Sequence, residues 1–161
     1  MAAGLSITPL ALALILGSTW CGAVAAENRV ASHAIAAAQN PIVGTWVITD
    51  ETAPFPFHIY VFNADGTMQQ ANPDAGDART SDSDGKGVWV AKGDRILGKW
   101  VELTADRTTH KFAGSLELSF EAKVEGDRLT CTRSALPFGT DWKPLGSPRR
   151  GSFTGRRVTL P

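Results

Sequence analysis

Cysteine is nearly missing from this chain: only Cys21 and Cys131 occur. The first falls in a leader expected to be removed, so an intrachain disulfide is excluded and stability must come from a core. The three histidines, His33, His58 and His110, have no His or Cys partner at ligand spacing. Metal binding therefore lacks a donor set, and no cofactor is expected. Acidic and basic residues balance at 16 each, leaving no basic excess for a phosphate backbone, so nucleic acid is not an expected partner. Also missing are a G-x-S-x-G elbow and a P-loop, and Cys131 has no evident His partner, which argues against hydrolase chemistry.

Residues 1–26 lack Lys, Arg, Asp and Glu altogether. Within them Leu5 to Leu16 is apolar apart from Ser6, Thr8 and Pro9, a run too short for a bilayer span of about 20 residues. Val24-Ala25-Ala26 follows with small side chains, so the segment resembles a secretory signal peptide cleaved after Ala26, although Ala36-Ala37-Ala38 offers a second cleavage position. Trp20 before Cys21 argues against lipidation, and no twin-arginine pair precedes the run. The expectation is an exported protein, periplasmic or secreted, with no membrane span. Residues 27–40 read as a flexible, Ala-rich lead-in and residues 41–161 as one folded domain.

What is present from Pro41 onward is strand text. Val43 to Thr49 and Phe57 to Phe62 are β-branched or aromatic runs, and Asp65-Gly66 supplies a tight turn into Thr67 to Ala71. Asn72 to Gly85 is rich in Asp, Ser, Gly and Pro and reads as an exposed loop. Gly87 to Ala91 and Arg95 to Thr104 flank the turn at Gly93. Lys111 to Val124 is the clearest strand: Phe112, Leu116, Leu118, Phe120, Ala122 and Val124 alternate with polar residues, which assigns one face to the core. Arg128 to Ala135, a loop over Pro137 to Pro148, and Gly151 to Leu160 complete eight strands.

The connections suit antiparallel neighbours, and no long amphipathic helix is available to cover a sheet face. Closing the sheet buries that face and removes the edges, which predicts an all-β, eight-stranded antiparallel up-and-down barrel; a β-sandwich of the same strands is the alternative.

Several short motifs then carry a family resemblance: Gly44-Thr45-Trp46, Phe62-Asn63-Ala64-Asp65-Gly66-Thr67, Gly87-Val88-Trp89, Gly126-Asp127-Arg128-Leu129-Thr130 and Gly151-Ser152-Phe153-Thr154-Gly155-Arg156. Together they resemble the bacterial lipocalin-like (calycin-like) proteins over most of the mature domain. The resemblance implies a lipocalin-like barrel with Trp46 at its closed base and an arginine of the last strand, Arg156 or its neighbour Arg157, packed over the indole, with Arg156 the first choice. A guanidinium in that position gains roughly 0.5–2 kcal/mol.

An eight-stranded barrel is either filled by its own side chains or holds one small ligand. Gly44, Gly98, Gly114 and Gly155 fall in strands, marking either barrel corners or space left for a ligand. Trp89 and Trp100 lie in adjacent strands and can share a cavity or fill a core, as can Phe120. His58 and Tyr60 share one face of a strand whose other face is Phe57, Ile59 and Val61. Facing inward, they are polar handles in an apolar pocket; facing outward, they are surface residues. Arg133 alternates with Cys131 and Leu129, so an inward orientation demands a carboxylate or an anionic ligand. Asp74, Asp77, Asp82 and Asp84 lack an EF-hand pattern, and their Ser- and Gly-rich surroundings suit a lid.

The expected function is binding of a small apolar or amphipathic molecule, with His58, Tyr60, Trp89, Trp100, Phe120 and Arg133 as candidate ligand contacts. The alternatives are a cofactor-independent cyclase, isomerase or dehydratase in which His58 or Tyr60 moves a proton, and a protein-interaction module presented by the loops.

Overall fold

The computed structural model describes residues 40–161; the expected signal segment and nearly all of the expected lead-in lie outside them. The strands are β1 (Gly44–Thr49), β2 (Phe57–Phe62), β3 (Thr67–Ala71), β4 (Thr80–Asp82), β5 (Gly85–Lys92), β6 (Arg95–Asp106), β7 (Phe112–Glu125), β8 (Arg128–Phe138) and β9 (Arg149–Arg157). All pairings are antiparallel, in the order β6-β5-β3-β2-β1-β9-β8-β7, and β7 returns to pair with β6, closing an eight-stranded barrel. No strand of the ring is left with a free edge.

Tight turns set the register, as their composition predicts. Gly93 (φ 64°) and Gly126 (φ 60°) open two-residue turns that pair Lys92 with Arg95 and Glu125 with Arg128. At the first hairpin Gly66 takes φ 85°, while Asp65 accepts hydrogen bonds from the amide and hydroxyl of Thr67. Such positive φ angles are reached by glycine without the steric cost of a Cβ.

The ninth strand, β4, lies within the segment read as an exposed loop. Thr80 to Asp82 pair with Thr104 to Asp106 of β6 and are half-buried. Because β6 is long, it runs past the start of β5 and offers free backbone groups, which β4 satisfies. A second departure is in β7. A register shift between Thr104 and Ala105 turns Phe112 out of the core, where it is 40% exposed and stacks on Trp142 at 5.5 Å. The β8 strand extends through Pro137 and Phe138, past the last pairing with β9 at Ala135. The missing amide hydrogen of Pro137 thus removes no ladder bond to β9.

One half of the barrel is solid. Trp46, Phe62, Trp89, Phe120 and Phe153 are all buried there, with Phe62 edge-on to both Trp89 (6.3 Å) and Phe120 (6.0 Å). The strand glycines are not ligand space. A side chain at Gly98 would collide with the Phe120 ring, one at Gly155 with Ile48 and one at Gly114 (φ 148°) with the Phe138 carbonyl, while Gly44 holds a φ of 130° beside Arg157.

The base of this half is plugged by Trp46 and Arg157. The guanidinium lies 4.3 Å from the indole centroid and donates to the carbonyl oxygens of Val43 (2.8 Å) and Pro41 and to Asp127 (3.0 Å). Trp46 Nε1 donates to the Ile42 carbonyl at 2.8 Å. Arg156, the first choice for this role, points to solvent instead. The inward residues of β9 are Gly151, Phe153 and Gly155, and that alternation carries Arg157, not Arg156, to the base.

Candidate functional site

The other half of the barrel is hollow. A cavity of about 530 Å³ opens at the end opposite Trp46, bordered by the residue 72–85 segment, the loop after β8 and the β1–β2 connection. Its volume is in the range of small-molecule sites, roughly 300–1,000 Å³.

The even-numbered face of β2 points inward, placing His58 on the cavity wall, Tyr60 below it and Phe62 in the core. Phe57 and Ile59, the more apolar pair, are outside and 54% and 40% exposed. Of the candidate contacts, His58, Tyr60, Trp100 and Arg133 line the cavity. Trp89 and Phe120 do not: Trp89 donates from Nε1 to the Asn63 carbonyl (2.9 Å) next to the first hairpin, and Phe120 covers Gly98.

Arg133 points inward, and its charge is answered by Asp50, the residue that follows β1 on the same inward phase as Trp46 and Ile48. Nε donates to Asp50 Oδ2 at 2.5 Å and Nη2 to Oδ1 at 3.3 Å, with a further bond to the Thr52 hydroxyl at 2.5 Å. Both side chains are more than nine-tenths buried. Burial by itself would raise the Asp50 carboxyl, but the bonds from Arg133 and Thr52 outweigh it and hold the group below its ordinary value. Arg133 is therefore charge-paired within the fold, through Nε and Nη2.

Gln70, 1% exposed, is the second polar anchor. Its Oε1 accepts from the Gly85 amide (2.9 Å), which fixes the amide orientation, so Nε2 donates to Asn72 Oδ1 (2.6 Å) and to His58 Nδ1 (3.1 Å). His58 consequently keeps its proton on Nε2. Burial lowers its pKa against the opposing pull of Asp50, so the ring is neutral. Tyr60 accepts from Trp100 Nε1 at 3.0 Å, and burial pushes its phenol well above the ordinary value. A phenol so placed is a hydrogen-bonding group and a poor proton shuttle.

Glu102 is an uncompensated carboxyl on the cavity wall. It lies on β6 between the inward residues Trp100 and Thr104, lines the cavity and is only 8% exposed, yet no hydrogen bond or ion pair reaches its carboxyl among the described residues. Burial first, and the negative charge of Asp82 second, push its pKa up to about 8. Asp82, brought to the rim by β4 opposite Thr104, is raised as well, by burial and then by Asp74 and Asp77.

The acidic segment above the mouth is tied down. Arg107 donates to the Asp74 carboxylate (2.6 Å), to the Asp74 carbonyl (3.1 Å) and to the Asp77 carbonyl (3.2 Å), while Asp77 caps the Arg79 amide (2.6 Å). These aspartates serve the turn and the arginine, and among the described residues no cluster of three His, Cys, Asp or Glu side chains is placed to hold a metal ion. The adjoining wall is largely apolar: Leu116, the register partner of Glu102, and Leu118 on β7, Ala135 and Pro137 on β8, and Leu145 from the loop beyond.

Asp50, Gln70 and Glu102 are site residues without a place in the sequence-based expectations, and Asp82 stood there only as part of a lid. Asp50 alternates with Ile48 and Glu102 with Trp100, a signal that hydropathy opposes by placing charge outside. No protein-family model, curated protein or solved structure matches this chain.

Proposed function

We propose that this protein binds a small amphipathic molecule in the open half of its barrel, and that it is exported and related to the bacterial lipocalin-like proteins. The observation that carries the binding reading is the cavity of about 530 Å³, with an apolar wall on β7 and β8 and convergent polar groups on β1, β2 and β6. That composition suits a ligand with an apolar body and one polar end. The lipocalin relation rests on Gly44-Thr45-Trp46 together with the arginine over the indole. Export rests on the uncharged apolar leader of residues 1–26.

Binding is favoured over proton-transfer catalysis because burial holds the Tyr60 phenol far from a working proton shuttle and Gln70 occupies His58 Nδ1, the ring nitrogen that would act as base. The test is a titration of residues 27–161 with the uncharged fluorophore N-phenyl-1-naphthylamine. Saturation at one equivalent per chain supports the reading; fluorescence that rises without saturating contradicts it.

A further inference from the structure

We infer that the ligand is an organic cation: an amphipathic amine whose ammonium group sits against Glu102, with Asp82 as the second carboxylate and the β7–β8 wall receiving its apolar body. This rests on the binding reading above and names the chemistry that the cavity selects.

Four acidic side chains line the inner cavity and its rim: Glu102 on β6, Asp82 on β4, Asp77 just before β4 and Asp50 after β1. Asp50 has its cation built in, in Arg133, at the cost of two mutually buried charges. Glu102 has a comparable burial and no cation. A buried acid without a partner is costly and normally avoided, unless the partner arrives from outside. The placement is also directional. Asp82 pairs with Thr104, two residues along β6 from Glu102 on the same inward side, so the two carboxyls form one wall between the rim and the interior.

The charged and titratable groups around Glu102 do not supply the missing cation. Asp82 and Asp77 on the β4 side are acidic, and β7 presents Leu116 and Leu118. From β2 come the neutral His58 and Tyr60, and Arg133 is consumed by Asp50. Arg149 and Arg150 at the start of β9 also line the cavity, but they are exposed, and among the described residues neither forms an ion pair with Glu102. At the Glu102 wall an anionic ligand would meet two carboxyls, whereas an ammonium would meet two acceptors with unused lone pairs.

The chemistry of binding then balances simply. Near neutral pH the empty site holds Glu102 as the neutral acid; the incoming ammonium keeps its own proton, the Glu102 proton leaves to solvent, and a carboxylate–ammonium pair forms in its place. Binding therefore releases about one proton per amine below the Glu102 pKa of about 8, and fewer above it.

The experiment is calorimetric titration of the mature chain at pH 7 with three matched probes, 2-phenylethylamine, 2-phenylethanol and 3-phenylpropanoate, in two buffers of different protonation enthalpy. The amine is expected to bind at least about tenfold more tightly than the other two, with proton release near one. Glu102→Gln should weaken the amine by at least about tenfold and leave the alcohol unchanged, and Asp82→Asn should weaken the amine less. Circular dichroism checks that each variant is folded. Equal or tighter binding of the alcohol or the carboxylate, or an amine affinity indifferent to Glu102→Gln, overturns the inference. If N-phenyl-1-naphthylamine binds and none of the three probes displaces it, the amine inference fails while the binding reading stands. If the fluorophore does not bind either, the binding reading itself has failed.

Discussion

The ring of Phe120 lies across Gly98, its direct partner between β7 and β6, so closely that a Cβ at the glycine would stand 2.1 Å from the Phe120 Cζ. The glycine is thus a seat for a core ring, and the closed half of the barrel depends on it. Gly98→Ala should destabilise the protein by about 1–3 kcal/mol through overpacking, measured by urea denaturation. Gly98→Ala combined with Phe120→Leu should cost less than the sum of the two single changes. Strict additivity would contradict the contact.

Asp50 and Arg133 should behave as one unit. Either Asp50→Asn or Arg133→Met leaves a buried group without its counter-charge and should cost about 3–5 kcal/mol. The double variant should cost less than the two singles added together, by equilibrium unfolding at low and high salt. Because both side chains are nearly solvent-free, salt should change the result little.

At the base, Arg157 and its neighbour make opposite predictions. Arg157→Ala removes the guanidinium over Trp46 and its bonds to Val43 and Asp127, and should lower stability by about 1–3 kcal/mol. Arg156→Ala, at an exposed position, should stay within about 0.5 kcal/mol. Thermal unfolding of the pair, side by side, separates them.

Glu102 predicts a pH dependence of a definite sign. Its folded pKa, about 8, exceeds the ordinary carboxyl value of 4.5, so between those limits the folded state holds a proton that the unfolded state has released. Stability from this group is therefore full below 4.5 and declines as pH rises toward 8. The loss reaches up to a few kcal/mol, since each tenfold difference in proton affinity between the two states is worth about 1.4 kcal/mol. Glu102→Gln should remove that decline, so the difference between wild type and variant should grow in the variant's favour from about pH 5 to about pH 8.5. His58 and Asp50, whose pKa values are lowered, act the other way on acidification and are common to both proteins.

Turns and period were what the sequence displayed most clearly. Asp65-Gly66, Gly93-Asp94 and Gly126-Asp127 announce themselves because few residues adopt the conformations they need, and β7 announces itself by alternation from Leu116 to Val124. These suffice for an antiparallel barrel. What stayed hidden has a common physical cause: it depends on partners remote in sequence. Thr80-Ser81-Asp82 carries no hydrophobic alternation and is a strand only because β6 outruns β5. Phe112 has core chemistry, but the register shift opposite Thr104 turns it outward. The inward charges of Asp50 and Glu102 contradict hydropathy, and only the closed ring shows that Asp50 meets Arg133 while Glu102 meets no partner among the described residues. Arg133 did pose the right question in sequence, since an inward cation requires an anion; the ring supplies Asp50 as the answer.

The most direct test of the account compares the wild-type mature chain with Ala135→Trp, which places a large ring in the open half from the β8 wall. Both are titrated with N-phenyl-1-naphthylamine after circular dichroism and thermal unfolding establish that the variant is folded. The account predicts saturable binding at one equivalent in the wild type and at least about tenfold weaker binding in the variant, because the ring and the ligand compete for one volume. Equal binding by the two proteins, or no saturable binding by the wild type, would contradict the claim that this half of the barrel is a ligand site.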